Sequence, residues 1–181
     1  FDCNLVFAKK STATNVGDSL SVGIQSTKTS AIQPLFPLER DMMSIYDLVY
    51  EGLVAIDDDY LPTPALVESW EMSNGGKTWT FTLRDNVSFS DGTPLTANDV
   101  VATAQYILNR ATDQYVDDKG YYRNLQYFIN SISSKGDRTV VVKTSRPYWG
   151  MLYAMTFPVL PADRVSDDNP PGTGPYVIQS F

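Results

Sequence analysis

The stretch FTLRDNVSFSDGTPLTANDVV, residues 81–101, gathers Arg84, Asp85, Asp91 and Asp99 around a Gly-Thr-Pro turn. Grouped carboxylates can do acid–base work, one protonated to donate and one ionised to accept. That division needs one carboxyl whose pKa is raised by burial in a cleft. The neighbouring residues favour another use. Phe81, Leu83, Val87 and Phe89 fall at strand spacing, with one face turned to a core. Asp91-Gly92 makes a tight turn, and Pro94 fixes φ on the way out. Thr96 precedes Asp99 by three residues at the start of an apolar-periodic run. Each can bond the other's backbone amide, which is a capping box, and the acid suits the positive end of the helix dipole. The acids therefore read as strand, turn and capped helix rather than as a catalytic pair.

Other chemistry is thinly supplied. The 181 residues contain no His, which removes Ser-His-Asp and Cys-His catalysis and histidine-based zinc sites. Cys3 is the single cysteine, so no internal disulfide is possible. It reads as a free thiol ahead of a lipid anchor, because Phe1-Asp2 are not the small residues that a lipidation signal wants. Asp57-Asp58-Asp59 are consecutive and lack the spaced carboxylates and glycine of a calcium loop, so they read as a solvated turn. Gly172-Thr173-Gly174-Pro175 lacks the Lys-Ser/Thr of a phosphate loop. Asn86-Val87-Ser88 matches a glycosylation sequon by chance. Neither a metal nor a cofactor is expected.

Composition narrows the class. Apolar residues make up 43% of the chain, enough for a sizeable core. Eleven Tyr, eight Phe and three Trp supply stiff surfaces for cores or for pocket walls. Fourteen basic against twenty-one acidic residues give a net charge of −7, which argues against nucleic acid as a partner. No apolar run is long enough to span a membrane, and the first twenty residues lack a signal-peptide core.

The elements that must position these residues can be read along the chain. Residues 1–19 read as a flexible lead-in, ending in the small polar run KKSTATNVGDS. Leu20, Val22 and Ile24 alternate as a half-buried strand, followed by a long loop over 26–40. Asp41 can cap a helix over 42–51, and a short strand follows at 53–56. Residues 64–69 read as a helical turn leading into a strand from Trp70. Asn74-Gly75-Gly76-Lys77 is a hairpin turn, with the returning strand over 78–83. The clearest helix spans 97–110, with Val100, Ala104, Ile107 and Leu108 on one face. A weaker helix is expected at 121–130, strands at 131–135 and 139–145, a helix at 148–155 and a last strand at 176–178.

Four blocks carry a family resemblance: IYDLVYEGLVAIDDD (45–59), PALVESWEMSNGGKTWTFTLRDNVSFSDGTPLTANDVV (64–101), VVVKTSRPYWGMLYAMTFPVLP (140–161) and GTGPY (172–176). In order and spacing the chain resembles family 5 of the bacterial extracellular solute-binding proteins, the oligopeptide-, dipeptide- and nickel-binding receptors of ABC importers. TWTFTLRDNVSF (78–89) looks like that family's signature. The resemblance implies an α/β fold, α+β within these residues, with a mixed sheet and flanking helices. It would be part of a two-lobed periplasmic-binding-protein-like fold of type II. In that frame residues 20–40 are the first strand and loop of lobe I, 41–161 its small subdomain, and 162–181 the return into lobe I. The second lobe is expected to lie outside these residues.

The implied function is capture of a small solute, most simply a short peptide, by lobe closure outside the cytoplasmic membrane. Delivery would be to ABC permease subunits, from an extracellular or periplasmic position and with a membrane tether open at Cys3. No catalysis is implied. Relatives that bind peptides pair the loop after the first strand with the ligand backbone, which places Lys28, Thr29, Ser30 and Ala31 near the ligand. Tyr148 and Trp149 either wall a pocket or pack in the core. The competing readings are a receptor serving a sensor or chaperone role, and a secreted carboxylate-dependent hydrolase.

Overall fold

A computed structural model describes residues 2–9, 19–25, 32–36, 40–114 and 120–180. The strongest local pattern builds its centre. TWTFTL forms a strand whose Trp79, Phe81 and Leu83 are buried while the threonines between them are half-buried. Counting along the chain this is β6 (Thr78–Leu83). Its partners are β5 (Val67–Ser73), β8 (Thr139–Thr144) and β7 (Ile129–Lys135), in the order β5-β6-β8-β7. All these pairs are antiparallel. Phe81 lies opposite Val140 and Trp79 opposite Val142, which puts four buried apolar side chains on one face.

Helix α2 (Ala97–Thr112) covers that sheet with buried Val100, Ala104 and Ile107. Thr96 and Asp99 make the expected capping box at its start. The helix runs two residues past its expected end. The turn between β5 and β6 is a tight helical turn over Asn74–Gly76, with Asn74, Gly75 and Gly76 all at positive φ.

A second sheet joins chain ends far apart in sequence. β1 (Asp2–Lys9) pairs antiparallel with β2 (Ser19–Gln25) on one side and β9 (Tyr176–Ser180) on the other. Asp2–Lys9 therefore corrects the expectation of a flexible lead-in over the first nineteen residues. A third, two-stranded sheet pairs β3 (Val54–Ile56) with β4 (Pro62–Pro64).

Several expected helices are shorter or absent, each for a visible reason. Helix α1 (Arg40–Tyr46) stops before the expected residue 51. The carbonyls of Leu48 and Val49 accept instead from the amides of Tyr176 and Gly174. The helical turn expected at 64–69 is instead a bend at Ala65 and Leu66 between β4 and β5, whose amides donate to the carbonyls of Leu53 and Gly52. Residues Tyr121–Tyr127 wind as a tight 3-10 helix. Tyr148 donates its amide to Gly76, so the next helix, α3 (Met151–Ala154), begins only after it.

GTGPY is where the two ends of the fold lock together. A Cβ on Gly174 would lie 2.7 Å from the carbonyl carbon of Val49, and one on Gly172 would run into the Val49 oxygen. Only glycine lets the returning chain approach the turn that follows α1 this closely.

Candidate functional site

The return that GTGPY makes also shapes a cleft of about 500 Å³, lined by Val49, Tyr50, Ser90, Arg164, Asn169, Pro170, Pro171, Gly172, Val177 and Ile178. Its walls come from the residues following α1, the turn after β6, the segment leading to GTGPY, and β9. Hydrogen bonds hold them together. The Tyr50 hydroxyl donates to the Pro170 carbonyl at 2.9 Å, and the Ser90 amide donates to Gly172 at 2.8 Å. Burial pushes the Tyr50 phenol far above its ordinary pKa, so it is a neutral donor.

Asn169 ties the cleft to the chain that follows β2. Its side-chain oxygen accepts from the Ile32 amide at 2.9 Å, and its own amide donates to the Ile32 carbonyl at 3.0 Å. Beside it, the Gln33 side-chain Nε2 donates to the Asp168 carboxylate at 2.7 Å. Asn169 sits at φ 59°, a left-handed conformation that asparagine tolerates better than most residues.

Arg164 is the cleft's cation, and its charge is already shared. It meets Asp167 at 3.0 Å and Asp91 at 3.4 Å. The Asp167 hydrogen bond leads the effects that hold the guanidinium protonated. The hydroxyl and amide of Thr93 both donate to Asp91, at 2.7 and 3.0 Å. Those bonds, with Arg164 adding a smaller pull, keep the Asp91 carboxyl below the usual carboxylate range.

A general acid needs the opposite shift. Asp99 is equally committed. One carboxylate oxygen accepts from the amide and hydroxyl of Thr96, each at 2.8 Å, and the other from the Ala162 amide at 2.8 Å. Asp85 pairs with Arg138 at 3.0 Å, and Arg84 donates to the Ala65 carbonyl at 3.0 Å. The acids and the arginine of residues 81–101 are thus bound into turns and caps. Among the described residues no cluster of His, Cys, Asp and Glu could hold a metal ion, and no helix is long and apolar enough to cross a membrane.

The residues expected near ligand fall in differently described parts of the chain. Lys28, Thr29, Ser30 and Ala31 lie outside the described residues. The Tyr148 ring stacks on Phe128 with centroids 4.0 Å apart and planes 6° from parallel. Trp149 is 68% exposed. Neither aromatic lines the cleft. Tyr50, Arg164 and Asn169, which do, were not singled out by their types. Asn169-Pro170-Pro171 carries a local signal, since asparagine before prolines marks a turn, but nothing local says what it faces.

Residues 62–181 match the family described as bacterial extracellular solute-binding proteins, family 5 Middle. The dipeptide-binding protein DppE of Bacillus subtilis is 29% identical over 155 residues, covering 74% of this chain and 28% of its own length. The nickel-binding periplasmic protein of Escherichia coli is 30% identical over 151 residues, covering 77% and 28%. Among solved structures, the PBP AgaA from A. tumefacien in complex with agropinic acid superposes with a TM-score of 0.72 at 26% identity. That match covers 85% of this chain and 32% of AgaA. The fold is accordingly that of the periplasmic binding proteins of type II, here as a mixed α/β assembly with antiparallel sheets. The chain spans less than a third of the length of each of these relatives.

Proposed function

Because the chain belongs to family 5 of the bacterial extracellular solute-binding proteins, we propose that it is part of the receptor subunit of an ABC importer. The receptor captures a short peptide or peptide-like solute outside the cytoplasmic membrane and passes it to membrane permease subunits. Capture is by closure of two lobes. The observation that carries this reading is the family match over residues 62–181, and the dipeptide-binding relative supports the choice of solute. The protein catalyses nothing, and supporting this, the acids of residues 81–101 serve turns, caps and ion pairs.

Residues 28–31 are proposed to run beside the bound solute. Support comes from their immediate successor, Ile32, which is held at both its amide and its carbonyl by the cleft residue Asn169. Tyr148 and Trp149 are proposed as outer contacts. The exposure of Trp149 supports that for the indole.

Native mass spectrometry of the full-length protein purified from its host tests the reading. A co-purified peptide, displaced by added dipeptides in calorimetry, is the expected result. A full-length protein that hydrolyses glycosides or peptides, with turnover abolished by Asp91→Asn, would overturn it.

A further inference from the structure

The most exposed large apolar side chains near one another lie at the turn between β3 and β4. Tyr60 is 80% exposed and Leu61 57%, with Ile56 at 38% and Tyr153 of α3 at 50%. Single exposed apolar residues are ordinary, but three within one short turn, with a fourth on α3 bonded to its tip, are not. Tyr60 also stands at φ 61°, a conformation unusual for a bulky side chain.

The turn is held in place before anything binds it. Asp57 accepts from the amides of Asp59 and Leu61 at 3.0 and 2.8 Å. The Asp57 amide donates to the Leu61 carbonyl, and the Tyr60 amide to the Asp57 carbonyl, each at 3.0 Å. The Tyr153 hydroxyl donates to the Tyr60 carbonyl at 3.1 Å, tying the tip to α3. A turn whose backbone is held this way loses little further freedom on binding, which favours contact strength.

The charge beside the rings selects the partner. Asp57, Asp58 and Asp59 are exposed, and residues 54–64 contain no Lys or Arg. None of the described ion pairs involves these three acids. An apolar tip flanked by unneutralised carboxylates complements a protein surface that sets Lys or Arg around an apolar recess. Aromatic side chains are common among residues that dominate such interfaces.

We propose that the β3–β4 turn, with Tyr60 at its tip, is a docking surface for a protein partner presenting basic side chains around an apolar recess. Taking that partner to be the importer's permease rests on the function proposed above. Asp58, Asp59 and Tyr60 are none of the residues proposed to meet solute, so docking and solute binding separate experimentally.

The test uses the full-length receptor and its permease complex in proteoliposomes, read as receptor-stimulated ATP hydrolysis. Two variants are compared with wild type: Tyr60→Asn, which keeps a residue tolerant of positive φ, and the double change Asp58→Lys with Asp59→Lys. Both should melt at the wild-type temperature and bind solute with unchanged affinity. Each should need about tenfold more receptor for half-maximal stimulation, and the double variant should also lose part of the wild-type salt dependence. Stimulation by both variants at the wild-type concentration would overturn the docking surface while leaving the importer role standing. A wild-type receptor that binds solute yet stimulates nothing would overturn the importer role and the permease assignment together. Sedimentation showing that wild type self-associates through this turn, and that the variants do not, would assign the surface to a second copy and overturn the proposal.

Discussion

Asp99 and Ala162, 63 residues apart, are joined by a 2.8 Å hydrogen bond from the Ala162 amide to the Asp99 carboxylate. The same carboxylate caps α2 through Thr96. One turn further on, the Thr103 hydroxyl lies 3.1 Å from both the amide and the carbonyl of Leu160. The first turns of α2 thus hold the segment that leads towards the cleft. Asp99→Ala removes the cap and strands a backbone amide. A lost cap costs about 0.5–2 kcal/mol and an unsatisfied buried group about 1–3 kcal/mol. We expect a total loss of about 2–4 kcal/mol in urea unfolding, with a smaller loss for Asp99→Asn, which keeps an acceptor. A loss under about 0.5 kcal/mol, within the scatter of ordinary surface changes, would contradict this account.

Gly174 tests the lock between the returning chain and α1. Its amide donates to Val49 at 2.8 Å, and an added Cβ would press on the Val49 backbone rather than on a flexible side chain. Gly174→Ala should therefore destabilise by about 2–4 kcal/mol, at the upper end of point substitutions. Gly92→Ala makes the useful contrast. That site has open space but φ 89°, so it carries backbone strain alone, of about 1–3 kcal/mol. Thermal melts that rank Gly92→Ala as the worse variant would show that the approach to Val49 yields easily.

The buried phenols predict alkaline sensitivity. Burial pushes Tyr46 up to about 12, and it raises Tyr50 and Tyr122 still further. The unfolded phenol ionises near 10. Raised folded values mean that stability is fully present below pH 10 and is lost as the pH climbs towards 12 and above, because only the unfolded chain releases these protons readily. Each such phenol should remove about 1.4 kcal/mol per pH unit within that window. The part of the tyrosinate absorbance owed to these three buried phenols should rise together with the loss of folded structure. A gradual rise in the folded state near pH 10, involving all tyrosines at once, would rule this out.

What could be read in advance was what neighbours in sequence decide. TWTFTL alternates, so β6 and its buried face were legible, and Thr96 with Asp99 announced the start of α2 three residues apart. β1 was missed because both of its partners are remote in kind: a strand across a polar run, and β9 at the far end of the chain. α1 looked longer than it is because its continuation is consumed by carbonyl contacts to residues 174 and 176. The candidate site depends on the same kind of remote contact. Tyr148 was an aromatic of the right type, and only the fold shows it stacked on Phe128. Tyr50 and Asn169 have no unusual spacing, and they meet the cleft through bonds to Pro170 and Ile32.

Asn169 gives the sharpest test of the cleft itself, because two of its properties can be separated. Its side chain accepts the Ile32 amide, and its backbone holds a positive φ. Asn169→Asp keeps an acceptor and a residue tolerant of that conformation, so it should lose little. Asn169→Gly keeps the conformation and loses the acceptor, which isolates the hydrogen bond at about 0.5–1.5 kcal/mol. Asn169→Ala loses both, adding roughly 1 kcal/mol of backbone strain. Stability should therefore fall in the order Asp, Gly, Ala. Hydrogen exchange at the Ile32 amide should accelerate in the Gly and Ala variants and stay protected in Asp. Protection at Ile32 that survives Asn169→Gly would mean that the Asn169 side chain does not hold this part of the chain.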